Sequence, residues 1–560
     1  MRVIIALVAA GLLLIPSALP AQPGVPPGGP PPVEQVASSG VFAVDAATPQ
    51  HPGWGVRPSA AARAGVRWVR ITADWSALEP ARGQYDWAGL DATVREAVAS
   101  GEHVLIVLQN TPRWAALTPD TPPSVWSHQP PRQPADWTAF VTAAASRYRD
   151  RVAAWQIEPS LDLSTFRGTA LDYQEMLHAA RRAVRRENPQ ALIVAASPPG
   201  LDLAYTKAML SHAGADFDAL MLYPKGRTPE DLLEALGVIR SRILTDARHQ
   251  FWLSALPQWG AQPQMAIAAL AGGMSREFWP ALDPALTDAI RVMGGARFVG
   301  PINRGPGVFA FVFSNGSAPF VALWSSGATR SVPLATTGSP ALVNASGGAV
   351  APGSGGGATD VAVGADPVFV SNPAQSVVEE AAQTAAQGVF VPPRDADHDF
   401  SKAESVAATL GATNVERGLY NQRLRKLQAG CVVPVTVDGT EAVRTNQATD
   451  AVYVYFDVDH SFVYFADGRY DVVISAVVHR ASAPRRVGFN IFYDSMSGYK
   501  FTPWQWVDAG SGWVTYTIRL PDASFSSAWG WDFALNGAGD KKEDLVVSAV
   551  TVTKARTGNP

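Results

Sequence analysis

The sequence predicts an α/β chain, a (β/α)8 TIM barrel followed by a small β-sandwich and a C-terminal β jelly roll. Three observations carry this expectation. Eight short apolar runs alternate with helical patterns between Gly40 and about Pro280. Short alternating runs with glycine-rich turns take over from about Asp283 to Ser371. A third set of strand-like runs extends from Leu419 to Lys554, beyond an Ala/Gln/Glu-rich stretch.

Taken in order, residues 1–21 have Arg2, an apolar run Val3–Ile15 and small residues at Ala18 and Ala21, the layout of a signal peptide. The run is short for a membrane span, so no span is expected after cleavage, and the expected location is secreted, periplasmic or cell-surface. Residues 22–36 form a Pro/Gly-rich tether. The barrel is expected over 37–282, with strands near Val41–Val44, Val66–Ile71, Val104–Leu108, Ala153–Ile157, Ala191–Ala196, Phe217–Leu222, Phe251–Ser254 and Glu277–Trp279. Helical patterns at Pro58–Ala64, Trp87–Ser100, Ala135–Arg149, Leu171–Glu187, Ala204–Ala213, Pro229–Ala247 and Gln262–Gly272 separate them. The β-sandwich is expected over 283–371, a partly helical linker over 372–395 and the jelly roll over 396–556.

Composition narrows the function. A formal charge of −4 over 560 residues, with no long basic run, argues against a nucleic-acid partner. Seventeen Trp and 13 Tyr suit a protein that handles sugars, although most aromatics in a large chain are core. The lone Cys431 allows no intramolecular disulfide, and the scattered histidines argue for no metal and no cofactor.

The stretch Val152–Thr169, VAAWQIEPSLDLSTFRGT, reads as a strand, a loop and the start of a helix. It resembles the fourth strand and loop of clan A glycoside hydrolases, especially the β-xylosidase and α-L-iduronidase type. Trp155, Ile157, Leu163, Phe166, Gly168, Thr169 and Tyr173 match that motif without a gap. Further resemblance lies in Ala64–Arg70, Trp75, Leu78-Glu79-Pro80, Tyr85-Asp86-Trp87, Thr111-Pro112-Arg113-Trp114 and Tyr223-Pro224.

The resemblance implies a retaining glycosidase site, and the sequence departs from it twice. Ungapped, the proton donor falls on Ser160; a gapped alignment reads Glu158-Pro159 as the family's Glu-Pro instead. The nucleophile falls on Ala255 in Trp252-Leu253-Ser254-Ala255. Neither Ser nor Ala can supply a carboxyl group, and glycoside hydrolysis by the usual routes needs two of them.

The candidate catalytic residues are therefore Glu158, a displaced acid, and Asp162, a loop carboxylate, with Asp74 or Glu79 as further candidate bases. Arg70 matches the arginine that orients the family's nucleophile; it is expected either to hold an anion or to pair with Asp74 or Glu158. Trp75, Trp114, Tyr223 and Trp259 are candidates to line a sugar groove, and Lys225 stands where the family has an aromatic. Trp504 and Trp506, two apart on a strand-like run, form a stacking platform if exposed and core if buried.

The expected partner is a polysaccharide or oligosaccharide. The sequence is read first as an exported protein that binds polysaccharide or helps to process or assemble it, weak or inactive as a catalyst. The alternatives are an active hydrolase with relocated carboxylates such as Glu158, and a structural envelope protein that binds no glycan.

Overall fold

The computed structural model describes residues 40–48, 55–224, 227–244, 248–255, 263–282, 284–293, 295–352, 359–394, 396–422, 432–482 and 484–556. The signal segment, the tether, Lys225, Trp259 and Cys431 lie outside these residues. Among the described residues no helix is long and apolar enough to cross a membrane. The chain divides into two compact units, one carrying the barrel and the sheets up to Pro393 and the other beginning at Arg394.

Eight parallel strands close into a barrel: β1 (Phe42–Asp45), β2 (Trp68–Asp74), β3 (His103–Gln109), β4 (Ala154–Ile157), β5 (Leu192–Pro199), β6 (Ala219–Tyr223), β7 (Gln250–Ser254) and β8 (Arg276–Trp279). Strand β1 pairs with both β2 and β8, which completes the ring. Alternate side chains fill the interior, among them Ala43, Trp68, Leu105, Ala154, Met221, Trp252 and Phe278. The other face of each strand packs under the surrounding helices. The apolar runs that predicted strands therefore do so because both faces are buried.

Local chemistry fixes the helix that follows β4. Thr169 caps Ala170–Glu187 in a reciprocal box with Asp172, and the Tyr173 hydroxyl donates to Ile157 O at 2.9 Å. The same hydroxyl accepts from Ala196 N at 2.7 Å, so one phenol ties the helix to β4 and β5. The spacing of Thr169 and Tyr173 thus sets how the helix docks beside the loop it follows.

Two sequence expectations need correction. The helix Pro284–Met293 follows β8 as its crossover helix, where alternating strands were expected from Asp283. The helix Gln375–Ala385, expected within a linker, buries Val377 and Ala381 in the core of the neighbouring sheet. Gly300 makes that approach possible, since a Cβ there would lie 1.9 Å from Ala381 O.

The sheet beside the barrel has five strands in the order 342–344, 368–371, 318–325, 308–315 and 297–301, with a two-stranded ribbon of 330–334 and 359–363. Every pairing is antiparallel. The second unit stacks a seven-stranded sheet on a six-stranded one. Its core holds Val454, Phe456, Ile474, Phe489, Ile491 and Phe533. The strict burial alternation along Tyr453–Val458 and Tyr470–His479 follows from one face of each strand lying in that core.

Candidate active site at the barrel mouth

The carboxyl ends of parallel strands are where a barrel of this kind places its chemistry. Here those ends carry Asp45 on β1, Asp74 on β2, Tyr223 on β6 and Ser254 on β7, with Asn110 and Glu158 immediately after β3 and β4.

Asp45 and Arg70 are register partners on adjacent strands. Arg70 Nε donates to Asp45 Oδ1 at 2.6 Å and Nη2 to Oδ2 at 3.0 Å. Nη1 donates to Ser254 Oγ at 2.9 Å. Burial works against the guanidinium charge, but Asp45 outweighs it and holds Arg70 firmly protonated. Tyr223 Oη accepts from Gln156 Nε2 at 2.8 Å beneath the same mouth, and burial pushes its phenol up to about 12.

The sequence expected Arg70 to pair with Asp74 or Glu158, or to hold an anion. It pairs with neither carboxylate, because Asp45 on β1 takes that place. Asp74 lies four residues further along β2, about 13 Å of strand rise away.

Strand alternation also corrects the mapping on β7. Trp252 faces the interior, so Ser254 does too, and the next side chain, Ala255, turns to the other face. Ala255 is 3% exposed, and its backbone N–H donates to Phe278 O. The side chain from β7 that meets Arg70 is therefore the Ser254 hydroxyl, and among the described residues no carboxylate stands at the end of that strand.

On β4, Glu158 follows the last strand residue directly. It has φ 61° and is 4% exposed, with Oε2 buried and without a hydrogen bond. Burial, and then the Asp74 carboxylate, push its carboxyl well above the usual carboxylate range. Asp74 Oδ2 accepts from Asn110 Nδ2 at 2.7 Å, and its Oδ1 accepts from Ser76 Oγ and Ala77 N at 2.6 and 3.1 Å. Asn110 also has positive φ, at 63°. Two neighbouring strand ends thus carry left-handed, non-glycine residues, and the Asn110 side chain reaches Asp74. Such backbone costs of order 1–3 kcal/mol per residue.

Ser160 sits in the loop, 3.3 Å from Thr165 Oγ1 and 3.5 Å from Asp162 Oδ2. Asp162 accepts from Ser164 N at 2.7 Å and holds the turn. Trp75 is 1% exposed, stacks on Phe140 and donates to Glu79 Oε2 at 2.7 Å, so it is core and lines no groove. Glu79 is buried with it and also accepts from Gly83 N. Trp114 is half-buried, donates to Glu79 O at 2.8 Å and carries the Arg82 guanidinium 5.0 Å over its ring.

In the second unit, Trp504 and Trp506 lie 6.2 Å apart between ring centroids. Trp506 packs on Gly488, where a Cβ would come 2.6 Å from the ring, and Arg486 stands 4.4 Å over it. Trp504, 40% exposed, offers the open ring.

Residues 51–158 match the sequence profile of a glycoside hydrolase family 42 domain, described as Beta-galactosidase, and that stretch contains β2, β3 and β4. Over that stretch the barrel resembles a glycoside hydrolase barrel. Among curated proteins none matches the sequence.

Among solved structures, the chain is similar to a family 39 glycoside hydrolase from the gut symbiont Bacteroides cellulosilyticus WH2. That match has TM-score 0.47 and 14% identity, covering 60% of this chain and 82% of that one. It is also similar to a GH30 endoxylanase from Clostridium papyrosolvens C71, with TM-score 0.44 and 13% identity over 61% and 98% of the two chains. A glucosidase from Croceicoccus marinus aligns over 94% of this chain and 97% of its own, with TM-score 0.39 and 14% identity.

Sequence reading of this barrel reached Arg70, Glu158 and Tyr223. It missed Asp45, Gln156, Asn110 and Ser254, which gain meaning only from strand register. Asp45 left one signal, a carboxylate closing an apolar run.

Proposed function

We propose that the chain is an exported, glycan-binding protein on a glycoside hydrolase barrel, inactive along the retaining route of its fold. It holds a polysaccharide at the barrel mouth and on the exposed ring of Trp504, and so helps to process or assemble it. One observation carries the reading. Arg70 gives two donors to Asp45 and one to the Ser254 hydroxyl, where retaining hydrolysis calls for a carboxylate.

Because that guanidinium is already neutralised, the mouth suits a neutral chain better than a uronate. The matched family and the similar structures carry the names β-galactosidase, endoxylanase and glucosidase, so β-linked galactose, xylose and glucose chains are the ligands to try. The test is calorimetric titration of these three oligosaccharide types, together with a uronate oligomer, into the full chain. Binding of a neutral oligomer supports the reading; binding of the uronate alone, or of none, removes it. Export is tested by cell fractionation, with retention in the cytoplasm as the contrary result.

A further inference from the structure

We propose that the sheet edge carrying Trp504 and Trp506 in the second unit binds a carboxylated sugar, its ring on the open face of Trp504 and its carboxylate on the Arg486 guanidinium. This rests on the glycan binding proposed for Trp504 and adds the charge of the ligand taken there. The neutral chain expected at the barrel mouth is unaffected by it.

Strand register sets the geometry of this edge. The short strand Gln505–Val507 pairs with Val487–Phe489 and places Trp506 opposite Gly488. Val487, Phe489 and Val507 lie in the core, so by alternation Gly488 and Trp506 face away from it. Glycine lets the indole lie against the backbone, since a Cβ at 488 would come 2.6 Å from the ring. Arg486, two residues before Gly488, stands 4.4 Å over the same ring. The Trp504 ring centre lies 6.2 Å from that of Trp506, tilted by 32°. A guanidinium and an open indole thus flank one covered indole.

Packing on Trp506 accounts for where Arg486 lies, and leaves its charge available. A stacked guanidinium spends its face and keeps its N–H donors in the plane, where a carboxylate can take two of them. Arg486 is exposed and, among the described residues, its guanidinium meets no carboxylate. The loop that packs on Gly488 through Gly539 brings three acids to this side, and all are engaged. Glu543 accepts from Arg485 at 2.7 Å, Asp544 accepts from Gln447 N at 2.8 Å, and Asp540 stands 3.5 Å from the Lys542 ammonium. Arg480 adds a second guanidinium, donating to Asp508 O at 3.2 Å just past the short strand. Against these two cations the edge sets the exposed Asp508.

A neutral sugar finds only the Trp504 ring here. A sugar with a carboxylate on its ring gains the charge-assisted pair with Arg486 as well, so this edge favours the charged sugar.

The experiment titrates the full chain calorimetrically with cellohexaose and with the same oligomer after oxidation of its primary alcohols to carboxylates. The carboxylated oligomer should bind about fivefold tighter at about 50 mM salt, the upper range for an exposed ion pair, and the preference should fade at about 0.5 M salt. Arg486→Gln should remove the preference and leave the affinity for neutral cellohexaose within about twofold. Arg486→Lys keeps the charge over Trp506 without the planar fork and should retain part of the preference. Trp504→Ala should weaken the carboxylated oligomer about tenfold.

Equal binding of the two oligomers, or a preference that survives Arg486→Gln, overturns the inference and leaves the glycan-binding reading standing. Binding of neither overturns both. Binding of the carboxylated oligomer alone, lost in Arg486→Gln, upholds this edge and removes the neutral ligand from the barrel mouth.

Discussion

Asp45 and Arg70 stand side by side on β1 and β2 and are joined by two hydrogen bonds of 2.6 and 3.0 Å. Their side chains are only 10% and 13% exposed, so the pair sits largely outside water. Breaking one partner leaves the other charge stranded. Asp45→Ala is therefore expected to destabilise the barrel by about 3–5 kcal/mol, measured by chemical denaturation. Replacing both residues by apolar ones should cost less than the sum of the single changes. Strict additivity would mean the two do not interact as described.

Two buried carboxyls predict how stability depends on pH. Glu277 on β8 is fully buried with neither oxygen hydrogen-bonded, and burial pushes its carboxyl well above the usual range. Glu102 is pushed up to about 8, first by burial and then by the neighbouring Glu96. A carboxyl with a raised folded pKa binds its proton more tightly when folded. Stability then falls as pH rises above the unfolded value near 4.5, by about 1.4 kcal/mol per pH unit per group, until the folded pKa is reached. Glu277→Gln and Glu102→Gln should each flatten the fall in Tm between pH 5 and 8. A native chain whose Tm rises over that interval, or variants that track it in parallel, would contradict this.

The aromatic pair of the second unit predicts a separation of binding from folding. Trp504→Ala should weaken glycan affinity about tenfold while leaving Tm within about 1 °C, because its ring is open to solvent. Gly488→Ala drives a methyl into the Trp506 ring and should lower both affinity and Tm. Equal effects on Tm from both substitutions would show that Trp504 is structural.

Gly300 predicts a packing penalty far from any site. A methyl there meets the Ala381 carbonyl, so Gly300→Ala should displace the helix Gln375–Ala385 and cost about 1–3 kcal/mol. Unchanged stability would mean that this helix is not docked through residue 300.

Much of the fold was legible because the barrel strands are buried on both faces and therefore read as apolar runs. Even the weak Arg276–Trp279 run closes the ring onto β1. The helix Pro284–Met293 was missed because the strand-like runs of the following sheet begin at Arg297, only a few residues after it, and the boundary was drawn too early. Gln375–Ala385 looked like linker since only Val377 and Ala381 bury fully, too few to mark a docked face.

The site was legible by residue type and not by partnership. Arg70 could be named from its motif, yet its partner depends on which residue lies across the strand pair. The choice between Ser160 and Glu158 turned on where β4 ends. Once the strand stops at Ile157, Glu158 occupies the strand end and Ser160 belongs to the loop. On β7 a one-residue difference in facing separates Ser254 from Ala255, and only the interior position of Trp252 decides it.

The most direct test of glycan binding at the barrel mouth is calorimetric titration of β-linked xylo-, gluco- and galacto-oligosaccharides into the full chain carrying Trp504→Ala, with and without Asn110→Ala and Asp74→Ser. The account predicts that at least one oligosaccharide still binds the Trp504→Ala chain and that the two mouth substitutions weaken this binding. Binding that is indifferent to the mouth substitutions, or that vanishes with Trp504 alone, would contradict it.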